Sequence, residues 1–245
     1  VTRVAVIGTS HVAALKLAWD EIGGRYPHIE AEHFGMNRAR FLKTSLRPDM
    51  TFGLPDDMRS DDATPRRLRG LVDLSTFDVV WHVGGWTFLQ KPMLELCVDF
   101  NIDGFETSGH AHCMSQATFH ACLDAITTKA MPDTAWHNWT PGRLFFSTVP
   151  RRNEIARQDA LYHTGEPHSF KRVWDTADKH LNARMSAVAI QRVPQPDCTL
   201  DAYGFTKQKF GTEKPVSTDG SVDTAHMNTA FGVCMWDSFL SHAFH

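Results

Sequence analysis

Four small or β-branched apolar residues, Val4-Ala5-Val6-Ile7, run directly into Gly8-Thr9-Ser10-His11. A short, unbroken apolar run of this kind reads as a strand buried on both faces. Val12 to Glu21 follows at once, and Val12, Leu15, Ala18, Trp19 and Ile22 fall at helical spacing until Gly23-Gly24 ends the helix. A buried strand, a tight turn and a helix N-terminus in immediate succession restrict the chain to folds built on a parallel sheet. The turn also lifts the Ser10 hydroxyl above the carboxyl end of the strand. There the helix dipole and unpaired backbone N–H groups favour developing negative charge.

The rest of the chain repeats the alternation. Ile29 to Phe34 reads as a second strand ending at Gly35-Met36-Asn37, and Phe77 to Val83 as a third, followed by a Gly84-Gly85-Trp86 turn. Arg143 to Val149 and Ala187 to Val193 read as a fourth and a fifth. Helices are expected over Pro92 to Phe100, Ser108 to Ile126 with Ser108 as N-cap, Phe170 to Met185, and Asn228 to Phe239. Residues 38–76 are irregular, with a short hairpin around Met50 to Leu54 and a short helix near Pro65 to Leu71. The long segment Asp197 to Val222 is irregular too. The pattern predicts an α/β fold, a three-layer sandwich with a mostly parallel five-stranded sheet. No internal repeat or linker divides it, so residues 1–245 are expected to form one domain. Ligand sites in such sheets lie at the carboxyl ends of the strands, where Gly8-Thr9-Ser10, Gly35, Gly84-Gly85 and Pro194 fall.

A formal charge of −3 offers no electrostatic case for nucleic acid or an anionic membrane surface. No apolar run approaches the roughly 20 residues of a membrane span. The N-terminus lacks the blocks of a signal peptide, so the expectation is that nothing precedes the fold. Cys97, Cys113, Cys122, Cys198 and Cys234 are odd in number and widely spaced. They are expected to be free thiols in a reducing, cytoplasmic compartment.

A nucleophilic serine needs a base, and the base needs an orienting partner. Asp223-Thr224-Ala225-His226, far along the chain, can supply both from one tight turn before a helix. Ser10 would be the nucleophile, His226 the base, and Asp223 the carboxylate that holds the other imidazole nitrogen. With Gly8-Thr9-Ser10 after the first strand and Asp223-x-x-His226 near the end, the sequence resembles the SGNH, or GDSL, hydrolase superfamily. Thr9 stands where that family usually has Asp, and Asn228 and Gly232 continue the familiar extension after the histidine. The resemblance implies a flavodoxin-like fold and cleavage of a small-molecule or glycan ester through an acyl-serine, with no cofactor. It also implies three oxyanion donors: the Ser10 N–H, the Gly35 N–H, and an asparagine side chain after the third strand. At the third place this sequence has Trp86, so the Trp86 indole, the Gly85 backbone or Asn37 would have to stand in. Two other functions keep the fold: an O-acyltransferase acting on a sugar hydroxyl with the same triad, and a ligand-binding protein with impaired catalysis.

Competing readings attach to several of these residues. Ser10 can simply cap the first helix, and His226 can be a structural histidine. The first block also resembles a dinucleotide turn, with Glu30 or Glu32 as the ribose-binding acid, but Ser10 occupies the slot where glycine admits the pyrophosphate. His110, His112, Cys113, His120 and Cys122 match no standard zinc spacing. His11 is read as structural or supporting. Trp136 and Trp139 sit in a polar loop where they could line an acyl or sugar pocket.

Overall fold

The structure, a computed structural model, describes residues 1–59, 70–84, 89–105, 112–137, 143–158, 167–212 and 223–244. Five parallel strands form the central sheet: β1 (Thr2–Gly8), β2 (Ile29–Gly35), β3 (Val79–Val83), β4 (Arg143–Ser147) and β5 (Gln191–Arg192). Their spatial order is β5-β4-β3-β1-β2, with every pairing parallel. This is the flavodoxin-like 2-1-3-4-5 order, and its switch point lies between β1 and β3.

Side chains alternate across the sheet because a strand repeats every two residues. Val4 and Val6 of β1 face α1 (Val12–Ile22) and the C-terminal helix, with Trp81 and Phe145 in the same layer. Ala5 and Ile7 face the other way, into a layer with Phe34, Val80, Phe146, Leu181 and Met185. The helices α2 (Gln90–Asp99), α3 (Gln116–Ala130), α4 (Pro167–Ser186) and α5 (Thr229–Phe244) complete the framework. Residues from α2, α3 and α4, among them Cys97, Phe119, Leu123 and Trp174, make a third apolar cluster beyond the sheet. A polar chain through the sheet is satisfied within itself: Trp81 Nε1 donates to Ser147 Oγ (2.9 Å), which donates to the Val193 carbonyl (3.0 Å).

Three local expectations are corrected. The helix expected from Ser108 begins at Gln116, with Ser115 accepting the Thr118 N–H as N-cap. Cys113–Met114 pairs instead with Asn101–Ile102, and Ser108 lies outside the described residues. The expected fifth strand shrinks to Gln191–Arg192. α4 runs on to Ser186 and closes through Ala189, whose φ of 60° is left-handed, and the Ile190 N–H returns to the Met185 carbonyl. Trp136 is not a pocket residue. It is 2% exposed and packs on Phe52 and His82 in the core. The hairpin near Met50 exists as Ser45–Leu46 against Thr51–Gly53, with Val72–Asp73 as a third antiparallel strand. The helix expected near Pro65 to Leu71 falls mostly outside the described residues, as does Trp139.

Candidate active site

Strand register builds the floor of the site. Gly35, Gly8, Val83 and Ser147 pair in succession across the carboxyl end of the sheet. β1 and β3 approach so closely there that a β-carbon on Gly8 would stand 2.0 Å from the Val83 carbonyl oxygen. The Thr9 N–H donates to that carbonyl (3.3 Å), and the Thr9 hydroxyl donates to the Gly84 carbonyl (3.2 Å). Thr9 thus pins the turn. Gly84 has a φ of 65° and faces the His11 ring, 2.8 Å from where its β-carbon would be. The turn leaves Ser10 exposed at the head of α1. The first turn of that helix carries no acidic residue to offset the positive end of its dipole.

The second half of the site arrives with the loop before α5. Asp223 Oδ1 accepts the N–H groups of Ala225 (2.9 Å) and His226 (3.0 Å), which folds the loop over its own carboxylate. Asp223 Oδ2 lies 2.7 Å from His226 Nδ1, and His226 Nε2 lies 2.8 Å from Ser10 Oγ. The structure therefore brings together Ser10, His226 and Asp223, residues from opposite ends of the chain. Burial works against the Asp223 charge, but the two N–H donors and the imidazole outweigh it and hold the carboxyl below its ordinary range.

Neighbours outside the motif fix this loop. Thr224 is held twice: its carbonyl accepts the Asn153 N–H (2.8 Å), and its hydroxyl accepts from Arg152 Nη1 (2.9 Å). Asn228 Oδ1 caps α5 through the Phe231 N–H (3.1 Å), while its Nδ2 donates to the Lys209 carbonyl (2.8 Å). Arg152 and Asn153 carry no local signal that would mark them, because their partners lie about 70 positions away in sequence. The His11 ring lies tilted beside His226 with centroids 5.6 Å apart, and its Nδ1 is sealed from solvent. Burial, reinforced by the facing His226, lowers the His11 pKa to about 3, so this ring is neutral and sets no cation beside His226.

The predicted oxyanion residues are distributed as follows. The Ser10 N–H donates to no group among the described residues. The Met36 N–H donates to the Gly8 carbonyl (3.1 Å), a parallel-ladder register that turns the Gly35 N–H to the outer edge of β2. Gly35 is exposed, and a β-carbon on it would meet Val12 at 3.0 Å. Asn37 Oδ1 accepts the Arg40 N–H (3.0 Å) and caps the one-turn helix Arg38–Phe41, leaving only its amide N–H groups as donors. Gly85 and Trp86 lie outside the described residues. Glu32 lies mid-strand in β2, opposite Ala5, and is paired with Arg3 (2.9 Å). Among the described residues no group of three or more His, Cys, Asp or Glu side chains could hold a metal ion. No helix among them is long and apolar enough to cross a membrane.

No family model and no curated protein sequence matches the chain. Solved structures do. A protein from Streptococcus pneumonia, provisionally described as a platelet activating factor, matches at 13% identity and TM-score 0.50, covering 99% of this chain and 84% of that one. The periplasmic domain of a lipopolysaccharide acetyltransferase from Salmonella ser. Paratyphi A matches at 12% identity and TM-score 0.46, covering 99% and 84%. A GDSL-like lipase from Bacteroides thetaiotaomicron matches at 10% identity and TM-score 0.42, covering 99% and 87%. The likeness to the first of these, at TM-score 0.50, is one of fold. The chain carries that fold over nearly its whole length, as a five-stranded parallel sheet flanked by helices.

Proposed function

We propose that this protein is a serine esterase that cleaves a carboxylic ester, with an acetyl or similarly small acyl group, through an acyl-serine intermediate. One observation carries the reading: Asp223, His226 and Ser10 form a continuous relay, 2.7 Å and 2.8 Å between partners, that ends on an exposed hydroxyl. With Asp223 accepting from Nδ1–H, His226 presents Nε2 as a proton acceptor to Ser10 Oγ. The serine oxygen attacks the acyl carbon as His226 takes its proton. Asp223 stabilises the imidazolium that forms. The carbonyl oxygen becomes negative over the α1 N-terminus, where the Ser10 N–H donates to no other group among the described residues. Collapse of the tetrahedral adduct expels the alcohol, which leaves with the proton from His226. Water, activated by the same imidazole, then releases the acid and restores Ser10.

The reading is tested by p-nitrophenyl acetate hydrolysis with the wild type, Ser10→Ala and His226→Ala. Turnover should fall by about 10³-fold or more in each variant, because serine and base act as one unit. Equal rates in all three would remove the assignment. A parallel assay with a sugar as acceptor distinguishes water from a sugar hydroxyl as the final acceptor: acetylated sugar in place of acetate identifies an O-acyltransferase using the same residues.

A further inference from the structure

His11 occupies the N-cap position of α1, yet its side chain makes no capping hydrogen bond. None is needed, because the Val12 and Ala13 N–H groups are taken by the Thr9 and Ser10 carbonyls (3.0 Å each). The ring stands instead between Gly84, just after β3, and His226, in the loop before α5. Its surroundings confine it. A β-carbon at position 84 would come within 2.8 Å of His11 Cδ2, so only glycine leaves the ring its place, and the φ of 65° there suits the same residue. The ring also borders a cavity of about 10 Å³, shared with Leu15, Val83, Phe231 and Met235. That is room for a water molecule at most, not for an imidazole to withdraw into. His226 closes the remaining side, 5.6 Å away between ring centroids and tilted by 31°.

His226 needs such a neighbour. Its side chain is 48% exposed, and its two hydrogen bonds, to Asp223 at Nδ1 and to Ser10 at Nε2, are made in the plane of its ring. Bonds of that kind resist sliding of the imidazole more than tilting. A second ring beside it limits the tilt. We propose that His11 is a positioning residue: confined by Gly84 and the cavity wall, its ring holds the His226 imidazole in line between Asp223 and Ser10. The inference rests on the esterase reading only for its kinetic consequence, because the alignment of His226 is a property of the free protein.

What the position requires is a flat ring without charge. Burial does most to set the His11 pKa, and the charged groups that face the ring adjust it. His226 from the α5 loop, Arg38 beyond β2 and Arg152 beyond β4 lower it, Asp223 raises it, and the result is about 3. The ring therefore carries no charge when His226 takes the serine proton and becomes a cation. A charged neighbour would oppose that step. His11 Nδ1 is sealed and meets no hydrogen-bond partner among the described residues, so that nitrogen contributes nothing that a carbon would not. Phenylalanine should consequently serve in its place.

The test compares the full-length wild type with His11→Phe, which keeps a flat uncharged ring, His11→Leu, which keeps apolar bulk without the ring, and His11→Ala. Proton NMR reads the low-field Nδ1–H resonance of an imidazole hydrogen-bonded to a carboxylate, assigned to His226 by its loss in Asp223→Asn. Kinetics with p-nitrophenyl acetate read kcat and KM, and Tm separates misfolding from misplacement. The resonance should be sharp in the wild type and His11→Phe, and broadened beyond detection in His11→Leu and His11→Ala. Turnover should fall by about 10²-fold in those two at unchanged KM, the loss expected when a catalytic group is misplaced by about 1 Å while substrate binding is intact. His11→Phe should keep most of its turnover. A resonance unchanged in His11→Leu and His11→Ala overturns the proposal. So does a loss in His11→Phe as large as in His11→Ala, which would make a ring nitrogen the group the site needs. If the wild type hydrolyses no ester while the resonances follow the expected pattern, the esterase reading fails and the placement of His226 by His11 stands.

Discussion

Gly232 lies against Ala14 so closely that a β-carbon on it would stand 2.3 Å from the Ala14 carbonyl oxygen. α1 starts beside Ser10 and α5 starts just beyond His226, so the approach of these two helices sets the gap between hydroxyl and imidazole. Trp236 fixes the same contact one turn further on, its Nε1 donating to the Leu15 carbonyl (2.8 Å).

Gly232→Ala therefore has two opposed effects. Alanine gains about 1 kcal/mol of helix propensity over glycine. Overpacking against backbone that cannot retreat costs about 1–3 kcal/mol. The clash is with a carbonyl held in α1, so the second effect prevails. Urea unfolding should show a net loss of up to about 2 kcal/mol, with slower modification of Ser10 because α5 is displaced. An increase in stability would mean that α1 and α5 are not in this contact.

Asp223→Asn separates charge from folding. An amide oxygen can still accept the Ala225 and His226 N–H groups that shape the loop. It cannot stabilise an imidazolium. The fold and Tm should be little changed while p-nitrophenyl acetate turnover falls by about 10²–10⁴. A loss of less than threefold would show that the carboxylate only shapes the loop.

Asn228→Ala removes a helix cap and a tether to Lys209 in one step. The expected loss is about 1–2 kcal/mol. Asn228→Asp should recover part of it, because a carboxylate can cap α5 but cannot donate to the Lys209 carbonyl. In chemical denaturation, equal stability of the two variants would assign the whole effect to the tether, and wild-type stability of Asn228→Asp would assign it to the cap.

Acid stability follows from His82. It lies at 1% exposure between a stacked Phe146 ring (centroids 4.5 Å apart) and the Phe41 and Trp136 rings. Burial lowers its pKa from 6.5 to about 3. Between those values the unfolded chain binds a proton that the folded chain refuses. Stability is complete above about pH 6.5 and is lost as pH falls toward 3, with a slope of about 1.4 kcal/mol per pH unit for one such group. His11, lowered to about 3 by burial and His226, acts in the same direction. The Asp223 contribution is present above the unfolded carboxyl pKa of 3.8 and is lost only below it. Urea midpoints at pH 7, 5.5 and 4.5 should fall steadily for the wild type and less steeply for His82→Phe, which keeps the ring stack. Parallel slopes would contradict a neutral buried His82.

Much of this fold was legible in the sequence. Val4 to Ile7, Val79 to Val83 and the apolar face of α1 are patterns of local origin, and their alternation leaves little besides a parallel α/β sheet. Residues 191–192 and 108–115 were less legible. The four-residue apolar run Ala187 to Ile190 after α4 was absorbed by the helix end at Ala189, and Cys113–Met114 became a strand only because Asn101–Ile102 lies beside it. Trp136, in a stretch that reads as a polar loop, was drawn inward by Phe52 and His82, partners distant in sequence. The site shows the same division. Ser10, Asp223 and His226 announce themselves by turn chemistry and spacing, whereas Arg152 and Asn153, which hold Thr224, have no signature in their own neighbourhood.

The account rests on Ser10 being a nucleophile activated by His226, and a fluorophosphonate tests this most directly, since it needs only an activated serine and no knowledge of the substrate. Peptide mass mapping after labelling should find the phosphonyl group on Ser10 of the wild type, with no labelling of Ser10→Ala and labelling slowed by about 10³-fold or more in His226→Ala. Absence of label from the wild type, or label of equal extent in all three proteins, would contradict it.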